Sequence, residues 1–184
     1  MGNLSLFLNI ISPPDDLKVL VSKTKQILLN RYGPYKYYGS IAHITVNTFF
    51  ARKEDEPWVL EQVKSKVRQI KPMVVAIRGF GYFSNTRTVF MKVDNKEEFS
   101  VLTKEFDSFK SSNSRVKKFF YPSVPHLTLA SRLKSYDFAK LKSELDAKSF
   151  EYDFRAELLT VLKYDYERSR YYLFEEIPFG NTVN

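Results

Sequence analysis

The chain's only two histidines, His43 and His126, stand in the same local pattern. Each is followed by an apolar residue and then by a threonine, Thr45 or Thr128. In a β-strand, residues i and i+2 point to the same face of the sheet. Each pattern therefore predicts an imidazole and a hydroxyl side by side.

Two such pairs could perform acid–base chemistry on a phosphate ester. An imidazole can act as base or acid near neutral pH, because its ordinary pKa is about 6.5. One neutral histidine could take a proton from an attacking water or hydroxyl while a protonated one gives a proton to the leaving oxygen, which typically accelerates a reaction about 10²–10⁴-fold. Threonine hydroxyls could donate hydrogen bonds to the non-bridging phosphate oxygens as charge gathers there.

The sequence around the two histidines is also repeated. Residues 38–46 read Tyr-Gly-Ser-Ile-Ala-His-Ile-Thr-Val, and residues 121–129 read Tyr-Pro-Ser-Val-Pro-His-Leu-Thr-Leu. Tyrosine, serine, histidine and threonine hold the same places, and the apolar residues between them match in kind. This repetition predicts an internal duplication, in which each half gives strand, helix, strand, helix, strand. A two-fold arrangement of the halves would set the two polar pairs against each other.

Hydrophobic periodicity predicts the elements that position these motifs. Strands are predicted over 4–10, 41–50, 73–83, 88–93, 126–133, 150–164 and 171–177. Helices are predicted over 17–29, 56–70, 96–109 and 136–145. In the first helix the apolar stripe consists of Leu17, Leu20, Val21, Ile27 and Leu28. Gly79 and Gly81 indicate a bulge or a close approach of the backbone within their strand.

Composition narrows the class of protein. The 184 residues are 43% hydrophobic and 27% charged, ordinary values for a soluble globular domain. We expect one domain over 1–184, with two lobes over about 1–85 and 86–184 that can exchange strands. With no cysteine and two histidines, thiolate and histidine-rich metal sites are disfavoured, so no metal or cofactor is expected. No apolar stretch approaches the ~20 residues of a membrane span, and a cytoplasmic monomer is expected.

The two motifs, His-Ile-Thr-Val and Pro-His-Leu-Thr-Leu, make the chain resemble the 2H phosphoesterase superfamily, with its 2′-5′ RNA ligases and 2′,3′-cyclic phosphodiesterases. The resemblance extends from the strand at Leu4 to the strand ending near Ile177. It implies a bilobal α+β fold, a pseudo-two-fold duplication of strand–helix–strand units, in which two mainly antiparallel sheets flank a central cleft with the helices outside. It also implies metal-independent catalysis by His43 and His126.

By the same resemblance, Thr45 and Thr128 bind the phosphate, and the substrate is a cyclic phosphate or a 2′-5′ bond. The activity expected is hydrolysis of a 2′,3′-cyclic phosphate on an RNA end or a small nucleotide, with 2′-5′ ligation as its reverse. A non-catalytic module that binds RNA or a nucleotide in the same cleft is the alternative. A structural protein with two incidental histidines is a third interpretation.

The excess of 29 basic over 21 acidic residues, a net charge of +8, favours an anionic partner such as nucleic acid, although it could serve solubility alone. The loops before both motifs mix cations with aromatic rings, a combination that holds single-stranded nucleic acid by stacking and charge. Alternatively, the rings pack inward and the serines only form turns. The candidate contacts are Ser40, Ser123, Lys36, Tyr37, Tyr38, Lys117, Phe120 and Tyr121.

Overall fold

The computed structural model describes residues 3–111 and 115–180, and it describes side chains in these ranges except those of 108–111. The strands are β1 (Leu4–Ile11), β2 (Ile44–Arg52), β3 (Met73–Phe83), β4 (Thr88–Val93), β5 (Val116–Phe120), β6 (His126–Ala130), β7 (Glu151–Ala156), β8 (Leu158–Asp165) and β9 (Arg170–Pro178). The helices are α1 (Asp15–Tyr32), α2 (Glu56–Val67), α3 (Lys96–Ser111) and α4 (Ser135–Asp146), and a short 3₁₀ turn (Lys53–Asp55) precedes α2.

The strands form an antiparallel sheet in the order β7-β3-β4-β6-β2-β1-β8-β9, with β5 paired to β2 beside this path. A mainly antiparallel sheet with four helices agrees with the expected α+β fold. In place of two separate sheets, the described strands form one hydrogen-bonded sheet. Its two halves meet where β2 and β6 share the partner pair Ile44 and Leu127.

The helices cover one face of this sheet. Apolar side chains from all four helices share one buried cluster with the strand residues that point toward them, including Val21 of α1, Val63 of α2, Leu102 of α3 and Leu141 of α4. Burial of each such side chain contributes about 1.5–3 kcal/mol. A second, smaller cluster contains only strand residues, namely Leu8, Ile10 and Leu162 with Tyr171 against them. We call the side of the sheet that carries this second cluster the open face.

The predicted strand over 150–164 is wrong, because the chain breaks there into β7 and β8. β7 pairs with β3 and β8 pairs with β1, so the two strands lie in opposite halves of the sheet. The break falls at Glu157, whose carbonyl accepts a hydrogen bond from the backbone N–H of Phe179 at 2.9 Å. Strand β5 was not predicted either, since its sequence, Val-Lys-Lys-Phe-Phe, does not alternate between apolar and polar residues.

The buried stripe of α1 also differs from the prediction. Leu17, Val21 and Leu28 are buried as expected, but Leu20 is 40% exposed and Ile27 is 65% exposed. The position between Val21 and Leu28 on the buried side is occupied by Lys25, which is 4% exposed. A lysine thus takes the place of an apolar residue on the inner face of the helix.

Among the described residues, no helix is both long and apolar enough to cross a membrane.

Candidate active site

The first motif lies where β2 begins, and the alternation of its strand separates two kinds of side chain. Ile44 and Val46 are fully buried in the cluster under the helices. His43 and Thr45 are only partly buried, and they alternate with those two residues, so they lie on the open face. Strand β6 repeats this arrangement over 126–129. All four polar side chains of the two motifs therefore share one face of the sheet.

The pairing of β2 with β6 brings the two motifs together. Ile44 and Leu127 are Cα partners in this antiparallel pair. Extended by one residue in each direction, an ideal antiparallel register would set each histidine beside the threonine of the other motif. The histidines are then diagonal neighbours, whose Cα atoms lie about 7–8 Å apart in an ideal pair. The two imidazoles are close enough for the charge of His126 to lower the pKa of His43.

Both imidazoles are anchored by the same hydrogen bond. Nδ1 of His43 donates to the carbonyl of Ile41 at 2.9 Å, and Nδ1 of His126 donates to the carbonyl of Val124 at 2.7 Å. A carbonyl can only accept a hydrogen bond, so Nδ1 carries the proton in each neutral ring. Each Nε2 is therefore left with its lone pair, able to accept a proton and to return it.

The surroundings favour the neutral form of both rings. Burial lowers the pKa of His43 and that of His126, and the hydrogen bonds to the carbonyls oppose this in part. The positive charges of Lys25 and His126 lower the pKa of His43 further. In the absence of an anion, these surroundings therefore favour the neutral form of both imidazoles. A bound phosphate would favour a proton on one of them, because an opposite charge stabilises the charged form.

Aromatic rings enclose His126. Phe83 meets the imidazole edge-on with centroids 5.1 Å apart, and Phe90 lies against it at 4.9 Å. Gly81 makes room for this wall, because a Cβ at that position would overlap the ring of Phe90. Gly79 has a φ of +63°, and β3 shifts its register against β4 nearby. Both interpretations of these glycines, a bulge and a close approach, are confirmed.

Lys92 is a further cation beside the second motif. It is the Cα partner of His126 on β4, and its side chain is exposed. Its Cε lies 3.7 Å from the position that a Cβ on Gly79 would occupy. Lys92, Phe83 and Phe90 are not among the predicted site residues, because neither strand pairing nor register can be read from these segments alone.

In the loop before the first motif, neighbouring residues contact one another. Tyr37 has a φ of 69° and is 53% exposed, and Nζ of Lys36 lies 4.6 Å from the centroid of its ring. Tyr38 is 47% exposed and meets Tyr35 edge-on. The hydroxyl of Ser40 donates to the carbonyl of Tyr37 at 2.8 Å, as the turn interpretation requires. Lys36, Tyr37 and Tyr38 are accessible to a ligand.

The loop before the second motif is built differently. Lys117 is exposed on β5, and Phe120 at the end of this strand is 59% exposed. Tyr121 is partly buried with its ring against Phe119, and burial raises the pKa of its phenol. Ser123 is exposed. Lys117, Phe120 and Ser123 are accessible, whereas Tyr121 packs inward as the alternative interpretation holds.

The described residues contain no group of three or more histidine, aspartate or glutamate side chains placed to hold a metal ion. The two imidazoles are anchored through Nδ1 to backbone carbonyls instead of to carboxylates.

Known proteins share both the sequence and the fold of this chain. The family model of the 2′-5′ RNA ligase superfamily matches residues 13–168. A Staphylococcus haemolyticus protein named only as a candidate phosphoesterase is 26% identical over 160 residues, which cover 84% of this chain and 92% of that protein.

Solved structures agree. TT0787 of Thermus thermophilus superposes with a TM-score of 0.66 at 16% identity, covering 96% of this chain and all of the other. LigT of Escherichia coli in complex with NADP⁺ gives a TM-score of 0.64 at 12% identity, covering 97% and 99% of the two chains. These likenesses establish the fold, and the family match covers most of the chain. The chain therefore belongs to the 2′-5′ RNA ligase superfamily, as its two motifs indicate.

Proposed function

We propose that this protein is a metal-independent phosphoesterase that opens a 2′,3′-cyclic phosphate on an RNA end or a small nucleotide. The observation that carries the proposal is the pair of imidazoles, each anchored through Nδ1 to the carbonyl two residues earlier. Two matched rings with free Nε2 atoms on one face are suited to proton transfer on either side of a phosphorus atom. A site that only bound its ligand would not need this matched orientation.

The reaction balances with these groups alone. Nε2 of one histidine takes a proton from water as the water oxygen forms a bond to phosphorus. The bond from phosphorus to one ribose oxygen breaks, and that oxygen takes a proton from the second histidine, which begins the step protonated. The products are a phosphomonoester and a free hydroxyl. Thr45 and Thr128 donate hydrogen bonds to the non-bridging oxygens throughout. The same groups would serve 2′-5′ ligation when a hydroxyl of a second RNA, in place of water, loses its proton to one histidine and bonds to phosphorus, while the 3′ oxygen of the ribose leaves and takes the proton of the other histidine.

A nucleotide substrate is supported by the open face and by the relatives. LigT of Escherichia coli has been crystallised with 3′-AMP, with ATP and with NADP⁺. On this chain, Lys36 lies over the ring of Tyr37 and Lys118 over that of Phe50, so cations and rings occur together near the motifs. Stacking on rings and attraction of phosphates to lysines is how single-stranded RNA is held.

The test is an assay of the purified protein with 2′,3′-cyclic nucleotides and with oligoribonucleotides ending in a cyclic phosphate, in the presence of EDTA. We expect conversion to a phosphomonoester that is unaffected by the chelator. Binding of these compounds without turnover would instead support the non-catalytic module. Turnover that requires added Mg²⁺, Mn²⁺ or Zn²⁺ would contradict the mechanism.

A further inference from the structure

A buried lysine lies directly behind the first motif. Lys25 of α1 is 4% exposed, and of the charged side chains in the described part of the chain it alone falls in the buried class. It sits in the inner stripe of the helix, where the neighbouring positions are apolar. Burial lowers the pKa of its amine to about 8. A cation in such a place is costly, so its contacts call for an explanation.

All of the hydrogen bonds of the amine go to one turn. Nζ donates to the carbonyl of Ser40 at 2.8 Å, to the hydroxyl of Ser40 at 2.9 Å and to the carbonyl of Tyr37 at 3.4 Å. These three neutral acceptors match the three donors of an ammonium group. Among the described residues Lys25 forms no ion pair, so its charge is not cancelled by a carboxylate.

The turn leads straight to His43. Ser40 is followed by Ile41, whose carbonyl accepts the hydrogen bond of His43 Nδ1. The ammonium therefore fixes the backbone one residue before the carbonyl that orients the imidazole. The charged and titratable groups that act on His43 are Lys25 from α1 and His126 from β6. Burial lowers the pKa of His126 and the carbonyl of Val124 opposes this, while Lys92, the Cα partner of His126 on β4, is the cation on the neighbouring strand.

We propose that Lys25 is a positioning residue for His43, which holds the Tyr37–Ser40 turn and disfavours a second positive charge on the imidazole beyond it. The two motifs are alike in sequence, but the cation behind His43 is the buried Lys25, whereas the cation beside His126 is the exposed Lys92. The consequence of this difference for catalysis rests on the proposed function: His43 is the member of the pair that is more readily kept unprotonated until substrate binds. The structural claim itself needs no substrate.

Proton NMR can test this claim without turnover. The chain has two histidines, so its spectrum contains two imidazole Cε1–H signals. The signal that is absent from the spectrum of His43→Ala belongs to His43. In Lys25→Met we expect the titration midpoint of His43 to rise and that of His126 to stay where it is. Lys23→Met, on the exposed side of the same helix, is the matched control and should move neither midpoint. An unchanged His43 midpoint in Lys25→Met, or an equal shift of both histidines, would overturn the proposal.

A second measurement uses the wild-type protein and so does not depend on how the variant folds. The backbone amide signals of Ser40 and Ile41 should titrate with a midpoint near the pKa of about 8 of Lys25. Amide chemical shifts that do not change over this pH range would contradict the proposed role of Lys25 in holding the Tyr37–Ser40 turn. If the protein turns over a cyclic phosphate, the acidic limb of kcat/KM should move to higher pH in Lys25→Met. If it does not, the NMR results still decide the role of Lys25, and the proposed function fails separately.

Discussion

At the scale of single residues, the two imidazoles are held alike but surrounded differently. Each donates through Nδ1 to a carbonyl, but His126 is enclosed by two phenylalanine rings whereas His43 lies within the field of a buried ammonium. Identical anchors with different surroundings suit a pair in which one member accepts a proton and the other donates one. This arrangement leads to predictions for each ring and for the lysine.

Replacing either histidine should stop the reaction. We expect His43→Ala and His126→Ala each to lower kcat at least about 100-fold, since each removes one proton-transfer step. The double variant should be little worse than either single one, because groups that act as a unit are not additive. Steady-state kinetics with circular dichroism to verify folding would check this. A single variant that keeps most of its activity would refute the assignment.

The lowered pKa values of the histidines predict an acid-sensitive fold. Their folded pKa values lie below the ordinary value of about 6.5, so below pH 6.5 the unfolded chain binds more protons than the folded one. Stability should therefore rise with pH up to about 6.5. Urea unfolding at pH 5 and pH 7 measures this slope. The slope should be smaller in the double His→Ala variant, and an equal slope in both proteins would contradict the burial effect.

The lowered pKa of Lys25 predicts that the stability of the fold also rises with pH in the alkaline range. Its folded pKa of about 8 lies below the ordinary 10.5, so between these values the unfolded chain again binds more protons. The stability of the wild type relative to Lys25→Met should then increase by about 1–2 kcal/mol between pH 8 and pH 9.5. The comparison with the variant cancels the titration of the tyrosines. A stability difference that stays constant with pH would exclude a perturbed lysine.

At the scale of elements, β3 and β4 shape the wall beside His126. Gly81→Ala would force the ring of Phe90 away from the imidazole or displace β3, and we expect a loss of about 1–3 kcal/mol in the free energy of unfolding. Gly39→Ala is the matched control, since nothing lies within 4 Å of a Cβ there, and its stability should be close to that of the wild type. Thermal or urea unfolding of both variants measures the difference in stability. Equal stabilities would show that the ring of Phe90 can move aside at little cost.

The elements also show what sequence patterns can reveal. Four helices and most strands follow from periodicity, and both histidine motifs follow from repetition, because these signals are local. The break between β7 and β8 is not a local signal, because the two strands are separated by only one residue in sequence and yet pair at opposite ends of the sheet. The burial of Lys25 was not predicted, because a lysine interrupts the apolar stripe by which the buried face of a helix is recognised. Lys92 became a neighbour of His126 only through strand pairing.

At the scale of the whole molecule, the net charge of +8 predicts how substrate length affects affinity. An oligoribonucleotide with a cyclic phosphate should have a lower KM than a cyclic mononucleotide, because additional phosphates release additional counterions. The difference should shrink as salt rises. Neutralising Lys36 or Lys117 should flatten this salt dependence and leave turnover of the mononucleotide nearly unchanged. Equal KM values at low and high salt would mean that the charge does not serve substrate binding.

The exposed rings give a prediction with its own control. Phe120→Ala should cost about 1–3 kcal/mol of binding to the oligomer if a base stacks on the ring. Tyr136→Ala removes a ring that is 76% exposed on α4 and should leave oligomer binding unchanged. Fluorescence titration with a labelled, non-hydrolysable oligomer would compare the two variants. Equal affinities would show that Phe120 is not a stacking site.

The order of the strands has a consequence for how this chain unfolds. β3, from the first half of the sequence, lies between β4 and β7 of the second half, while β8 of the second half lies beside β1. Neither half of the sequence can complete its part of the sheet alone. Because each half of the sequence contributes a strand to the other half's part of the sheet, the molecule should unfold in a single cooperative transition. A protease cut in the turn between β3 and β4 would then leave two fragments that stay together.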